Sequence, residues 1–250
     1  MNLYLIASTR LEPGYAEWLT KRGLSWREGP LSGDSARLIE FAGRVCYLSF
    51  GDRQSPKNSA EYVGHLIEQQ HESVLEHASF SLLADGISRA LSHQIVRHRV
   101  GFAYSQLSQQ YHDEAQATFV MPFGIGESPN MANEWSKSVQ ASLDTYKTIE
   151  GELNASDFAR ELPLKERLRA IRSIARSVLP NSTATTLVIT GNGRAWRHLL
   201  QVRGAIQGDK EMRDFCLCSF RLLVKAAPEI FGDFEIADDA FGPMVKRRVR

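Results

Sequence analysis

Two hundred and fifty residues suffice for one large domain or two small ones, with room for a core of useful size either way. Hydrophobic residues make up 43% and charged residues 24%, a globular balance that excludes a disordered or fibrous chain. The net charge of +1 lacks the basic surplus of a dedicated nucleic-acid binder, and no apolar run approaches the ~20 residues of a membrane span.

Asn2 to Ser8 reads as an opening strand, followed by a turn at Pro13-Gly14. Tyr15 to Leu24 and Ser35 to Tyr47 read as helices, the second with Leu38, Phe41, Ala42 and Val45 recurring at helical spacing. After a polar break at 51–57, Asn58-Ser59-Ala60-Glu61 has the spacing of a capping box. It opens a helix to about Gln70 with Tyr62, Val63, Leu66 and Ile67 facing inward. His71 to His77 concentrates two histidines and two acids in a connector before a strand from Ala78 to Leu83. A zinc-protease HExxH pattern would need a histidine where Leu75 stands, so no metal is expected.

Ile87 to Arg99 reads as a helix with Ile87, Leu91 and Ile95 buried and Gln94 and Arg97 on one face. It ends near Gly101, and 104–111 continues as loop or extended chain. Thr118 to Met121 reads as a short strand and Gly124 to Pro129 as a turn-rich loop. Met131 to Ile149, with Trp135, Val139, Leu143 and Tyr146 in register, and Leu164 to Ser177 read as amphipathic helices. The polar link Gly151 to Asp157 between them is the one candidate hinge, without the composition shift of a domain boundary.

Arg176 to Pro180 closes the second of these helices, and Ser182 to Thr190 alternates like a strand. Asn192 stands at an N-cap position before a helix to Arg203. Arg194 and His198 share a face of that helix, and Arg203 lies roughly 140° round from His198, so polar groups point in two directions. Phe215 to Ala227 is a last amphipathic helix, and Lys246 to Arg250 reads as a solvated basic tail. Three cysteines, an odd number without a signal-peptide pattern, fit reduced thiols in a cytoplasmic protein. Cys216-Leu217-Cys218 is neither a redox pair nor a zinc knuckle and reads as buried free thiols.

The densest chemistry lies in 97–111. Arg97-His98-Arg99 and Tyr104-Ser105-Gln106-Leu107-Ser108-Gln109-Gln110-Tyr111 bring guanidiniums, an imidazole, hydroxyls, carboxamides and phenols together with little that could serve as core. Arginine forks match phosphate oxygens, and Gln amides offer a donor and an acceptor to a base or sugar edge. The segment suits an anionic, hydrogen-bonding ligand such as a nucleotide.

This segment resembles the signature of the flavin-dependent thymidylate synthases, in which Arg-His-Arg is followed by spaced serines and a closing Arg-Tyr. His71 to His77 resembles the family's His-Glu-Ser/Thr element, Arg176 to Pro180 its Arg-x-Val-Leu-Pro, and Asn192 to Arg203 its Asn-x-Arg helix. The resemblance covers about 35–231. Three positions depart from the pattern: one residue is added near Ala103 where the first serine is lost, Gln110 replaces the arginine before the closing tyrosine, and Gln207 replaces a histidine.

The resemblance implies an α+β fold, a single domain over 1–250 with a central, mostly antiparallel sheet flanked by helices, assembled as a homotetramer with shared active sites. It implies reductive methylation at C5 of dUMP, with 5,10-methylenetetrahydrofolate as carbon donor, FAD as hydride carrier and NADPH as reductant. Alternatives are a UMP or dual UMP/dUMP C5-methylase of nucleoside-antibiotic biosynthesis and, from another class, a non-catalytic nucleotide- or RNA-binding module. By residue match, Gln94, Arg97, Gln106, Ser108, Gln109, Gln110, Arg176 and Arg203 would hold the nucleotide. Arg203 would polarise the uracil, and Ser108 would stand at a catalytic position as a binding group. His71, Ser73, Glu76, Arg97, His98, Arg99, Ser105, Asn192, Arg194 and His198 would hold FAD. No cysteine is implied as nucleophile, and neither a membrane nor nucleic acid is an expected partner.

Overall fold

The computed structural model describes residues 1–31, 33–56 and 58–248. In chain order it contains β1 (Asn2–Ser8), α1 (Gly14–Lys21), α2 (Asp34–Tyr47), α3 (Ser59–Glu68), β2 (Ser79–Ser88), α4 (Arg89–Ile95), β3 (Phe102–Gln106) and α5 (Pro129–Ala155). There follow α6 (Leu164–Ala175), β4 (Ala184–Asn192), α7 (Gly193–Arg203), α8 (Lys210–Ala226), α9 (Pro228–Phe231), β5 (Phe234–Asp239) and β6 (Gly242–Arg247). Four strands form a sheet of order β1-β2-β4-β3, and β5 pairs with β6 in antiparallel register, giving the mixed α+β class expected. Among the described residues no helix is long and apolar enough to cross a membrane.

The chain divides into two compact units. One comprises Met1–Asn2, Ala84–Arg97 and Ser105–Leu187; the other comprises Leu3–Leu83, His98–Tyr104 and Val188–Arg250. The divisions do not fall in the link at 151–157.

In the first unit α5 packs on α6, burying Val139, Leu143, Tyr146, Ile171 and Ala175. Helix α5 starts at a Ser128 cap with Pro129 in its first turn, and it runs on through Gly151 to Ala155. Most of the residues read as a hinge, Gly151 to Ala155, are therefore helical. Arg167 explains why: its guanidinium donates to the carbonyls of Asn154 (3.1 Å), Ser156 (2.8 Å) and Phe158 (2.9 Å) and so satisfies the acceptors at the end of α5. Helix α4 is shorter than its apolar spacing predicts. Ile87, Leu91 and Ile95 are all buried, but Ile87 belongs to β2, and the helix begins where the Ser88 hydroxyl accepts from Leu91 N. It ends at Ile95, which leaves Arg97 in the turn beyond. Thr118 to Met121 makes one antiparallel bridge, Phe119 to Thr183, rather than a strand.

In the second unit Asn58 caps α3, accepting from Ala60 N and Glu61 N, and Tyr62, Val63, Leu66 and Ile67 are buried as the spacing predicted. Helix α1 stops at Lys21, three residues short of the expected Leu24. Helix α2 turns a different face inward than its apolar pattern suggested. Ile39 and Ala36 are buried beside a fully buried Arg44–Glu40 pair (2.7 Å), whereas Leu38, Phe41 and Ala42 are half-buried and Val45 is exposed. The Arg44 guanidinium lies over the Tyr62 ring (4.1 Å), and Trp26 Nε1 donates to Glu40 (3.3 Å), so partners on other elements hold this pair inside.

The C-terminal tail is structured. Lys246 and Arg247 belong to β6, and Arg247 Nε donates to Asp233 (2.8 Å); Val249 and Arg250, the end of the basic run, lie outside the described residues. The β5–β6 hairpin is pinned to α8 by Arg213, which donates to both carboxylate oxygens of Asp239 (2.7 and 3.1 Å) and to Pro243 O (2.9 Å). Cys216 is buried as read, while Cys218 is only partly buried and Cys46 is exposed; all three are free thiols.

Candidate active site

The first unit gathers most of the residues assigned to the nucleotide. Gln94 is half-buried on α4, and Arg97 is exposed past its end. From β3, Gln106 Nε2 donates to Ser92 Oγ (2.9 Å) and Thr185 Oγ1 (3.3 Å), which fixes its amide against α4 and β4. Ser105, next to it, is exposed, as the alternation of a strand dictates. The chain then turns, and Ser108 Oγ accepts from Gln110 N (3.3 Å). Gln110 aims its side chain at α6, donating to Ser173 Oγ (3.0 Å) and accepting from Arg169 Nε (3.3 Å). Arg176 is half-buried in the 3-10 turn that follows α6.

Two residues that the sequence did not single out complete this region. Arg89 and Glu114 are largely buried with 4.0 Å between Nη2 and Oε1, and buried Gln109 lies near Glu114. Arg89 Nε, Gln109 Nε2 and Glu114 Oε1 make no hydrogen bond of acceptable geometry among the described residues. Burial lowers the Arg89 pKa, with Glu114 opposing and the Arg176 charge reinforcing that shift. Burial raises the Glu114 pKa against the pull of Arg89. A signal for Arg89 did exist. It occupies the first turn of a helix, where the macrodipole disfavours a cation, so its charge answers some other demand. Glu114 carried no comparable mark.

The second unit gathers most of the residues assigned to FAD. Helix α7 starts where Asn192 Oδ1 accepts from Ala195 N (2.8 Å), and a side chain at Gly193 would meet Leu75 O at 2.9 Å. That close approach packs α7 on the 3-10 turn Glu72–His77, where Arg194 meets Glu76 (2.7 Å) and Glu72 (3.5 Å). His71 and Ser73 are exposed at the start of the same turn, and His198 and Arg194 are exposed on one face of α7 as expected.

Near Ala103, where the resemblance implies an added residue, the chain makes a turn. Phe102 N donates to Arg99 O (3.3 Å), with Gly101 at φ +75°, where glycine is strain-free and a Cβ would strike Asn192 Nδ2 at 2.7 Å. The turn leaves Arg99 exposed and His98 half-buried, with the Tyr104 hydroxyl donating to His98 O. Arg203 Nε reaches His98 Nε2 (3.4 Å), and the His98 and His198 rings lie 6.5 Å apart. The two directions offered by α7 therefore meet at His98. Among the described residues no group of three His, Cys, Asp or Glu side chains is arranged to hold a metal ion.

One unit thus carries a buried cation with unfilled hydrogen-bonding capacity, and the other an open face of imidazoles and guanidiniums. Both sets suit anionic, hydrogen-bonding ligands. The family described as thymidylate synthase complementing protein matches residues 31–229. The chain is 42% identical over 247 residues to the flavin-dependent thymidylate synthase of Mycobacterium avium (strain 104), covering 98% of this chain and 94% of that protein. It is 39% identical over 248 residues to the enzyme of that name from Mycolicibacterium gilvum (strain PYR-GCK), with the same coverage. The chain belongs to the thymidylate synthase complementing protein family, and it is an enzyme. Membership of an enzyme family removes the reading as a non-catalytic binding module.

Proposed function

We propose that the chain is a flavin-dependent thymidylate synthase that methylates C5 of dUMP, taking the carbon from 5,10-methylenetetrahydrofolate and electrons from NADPH. The observation that carries the nucleotide half is Arg89 Nε, a buried guanidinium donor that makes no hydrogen bond among the described residues. An oxyanion such as a phosphate meets that demand. Gln94, Arg97, Gln106, Ser108 and Arg176 complete the set of groups offered to the nucleotide.

The donor set of the second unit fits FAD. Arg99 and Arg194 suit a diphosphate, while His71, His98, His198, Ser73 and Asn192 offer hydrogen bonds to a ring or sugar, with Glu76 holding Arg194 in place. Arg97 and Ser105, in the first unit, belong to the same assignment. Bound FAD supplies the hydride that completes the methyl group; the protein binds, orients and polarises. Arg203, held by His98, provides a fixed cation for the negative charge that develops on the uracil carbonyls as C5 becomes nucleophilic. Burial pushes the Cys216 thiol pKa up, in keeping with a reaction that uses no cysteine nucleophile. Assembly as a homotetramer with shared sites accords with the exposure of His71, Ser73, Arg99, Arg194 and His198.

The test is direct. Purified protein should be yellow, and with NADPH and the folate donor it should convert dUMP to the 5-methyl product. Arg203→Ala should slow methyl transfer by about 100-fold or more, the usual effect of removing a charge-stabilising group. A colourless protein that binds no FAD and forms no methylated nucleotide would refute the reading. A second reading, UMP in place of or beside dUMP, draws support from the side chain of Gln110, which is turned to α6. Parallel assays with the two nucleotides separate the readings by which methylated product forms.

A further inference from the structure

Helix α6 grips the segment Ser108 to Tyr111 at three points. Arg172 Nη1 donates to Tyr111 O (2.9 Å), Gln110 Nε2 donates to Ser173 Oγ (3.0 Å), and Gln110 Oε1 accepts from Arg169 Nε (3.3 Å). The Gln110 amide can point only this way, because a guanidinium donates and never accepts. Both ends of that amide are therefore engaged on α6. What it presents instead is Arg169.

The Arg169 guanidinium is steered from two sides. Gln110 holds Nε, and the Tyr111 ring lies under it at 5.6 Å from the centroid. Its other partner is Glu166, a 3.4 Å pair between side chains that are 43% and 47% exposed, too solvated to explain the placement. Nη2 makes no hydrogen bond among the described residues. Lys165 adds a second positive charge 5.9 Å from the same ring. An open, oriented fork beside a loop of hydroxyls and carboxamides is suited to an oxyanion.

We infer that Arg169 is a substrate-binding residue that contacts the phosphate monoester of the nucleotide, and that Gln110 acts on it as a positioning residue. The inference rests on the proposed nucleotide chemistry of this loop. It transfers the cationic role to α6 and leaves Gln110 without a direct contact to substrate.

The experiment is calorimetric titration of the full chain, with its flavin, with dUMP and with UMP, for wild type, Arg169→Ala, Arg169→Lys and Gln110→Ala, alongside steady-state kinetics. Arg169→Ala should bind the preferred nucleotide about 10- to 100-fold more weakly, the size of one charge-assisted hydrogen bond, and raise KM while kcat holds. Arg169→Lys should recover part of the loss, and Gln110→Ala should show a smaller loss in the same direction. A wild type that binds while Arg169→Ala binds equally well overturns the inference alone, as does a loss confined to kcat. A wild type that binds neither nucleotide overturns the proposed function and this inference with it.

Discussion

Arg197 and Arg213 are buried arginines that the sequence pattern did not single out. Their partners lie far along the chain: Arg197 Nη2 donates to Asp233 (2.7 Å), and Arg213 forks onto Asp239. No local spacing could reveal such pairs, whereas the polar segment at 97–111 stood out because its groups are consecutive. Asp233 gives a pH prediction. Burial alone would raise its pKa, but the Arg197 hydrogen bonds and the charges of Arg197 and Arg247 outweigh that and hold it below the usual range. A carboxylate with a depressed folded pKa adds stability above its unfolded value, near 4, and loses that contribution as pH falls through the folded value. Asp233→Asn should therefore cost about 2–4 kcal/mol at neutral pH and flatten the dependence of stability on pH below about 4. Urea titrations from pH 3 to pH 7 measure both effects, and a variant whose curve runs parallel to that of wild type contradicts the assignment.

At the level of elements, caps were the most dependable signals. Asn58 and Asn192 each accept hydrogen bonds from the first turn of their helices, because a short polar side chain before an amphipathic run satisfies an orphan amide wherever the helix later docks. Apolar spacing was less dependable. Ile87, Leu91 and Ile95 fit one helical stripe, yet Ile87 is buried as strand, since burial alone does not distinguish the end of a strand from the start of a helix. The β5–β6 hairpin was missed because its hold comes from Arg213 and Arg197, not from an alternating apolar run. Asn192 allows its two roles to be separated. Its Oδ1 caps α7, and its amide nitrogen lies at the Gly101 turn, available to flavin in the proposed assignment. Asn192→Ala should destabilise the protein by about 1 kcal/mol, whereas Asn192→Asp keeps the cap and should unfold near the wild-type midpoint. If the amide also contacts the cofactor, Asn192→Asp will bind FAD more weakly at unchanged stability. Equal flavin affinity in this variant confines Asn192 to capping.

For the molecule as a whole, β1 bears on assembly. This strand lies at the edge of the four-stranded sheet, where unpaired backbone groups invite association. Its alternation puts Tyr4 and Ile6 on the same side, 51% and 52% exposed, so an apolar pair accompanies that edge. Scattered exposed hydrophobics are ordinary, but neighbours on an edge strand form a surface that a second copy would cover. The proposed homotetramer predicts a sedimenting mass four times the 28.1 kDa chain. Replacing both Tyr4 and Ile6 with lysine should shift the protein toward smaller species, because a charged edge resists pairing. Both residues lie outside the residues assigned to FAD or nucleotide, so a drop in bound flavin that follows the loss of mass would tie the cofactor face to assembly. Wild-type protein that sediments as a monomer at micromolar concentration, yet turns over dUMP with FAD bound, would show that one chain holds a complete site and would remove the basis for shared ones.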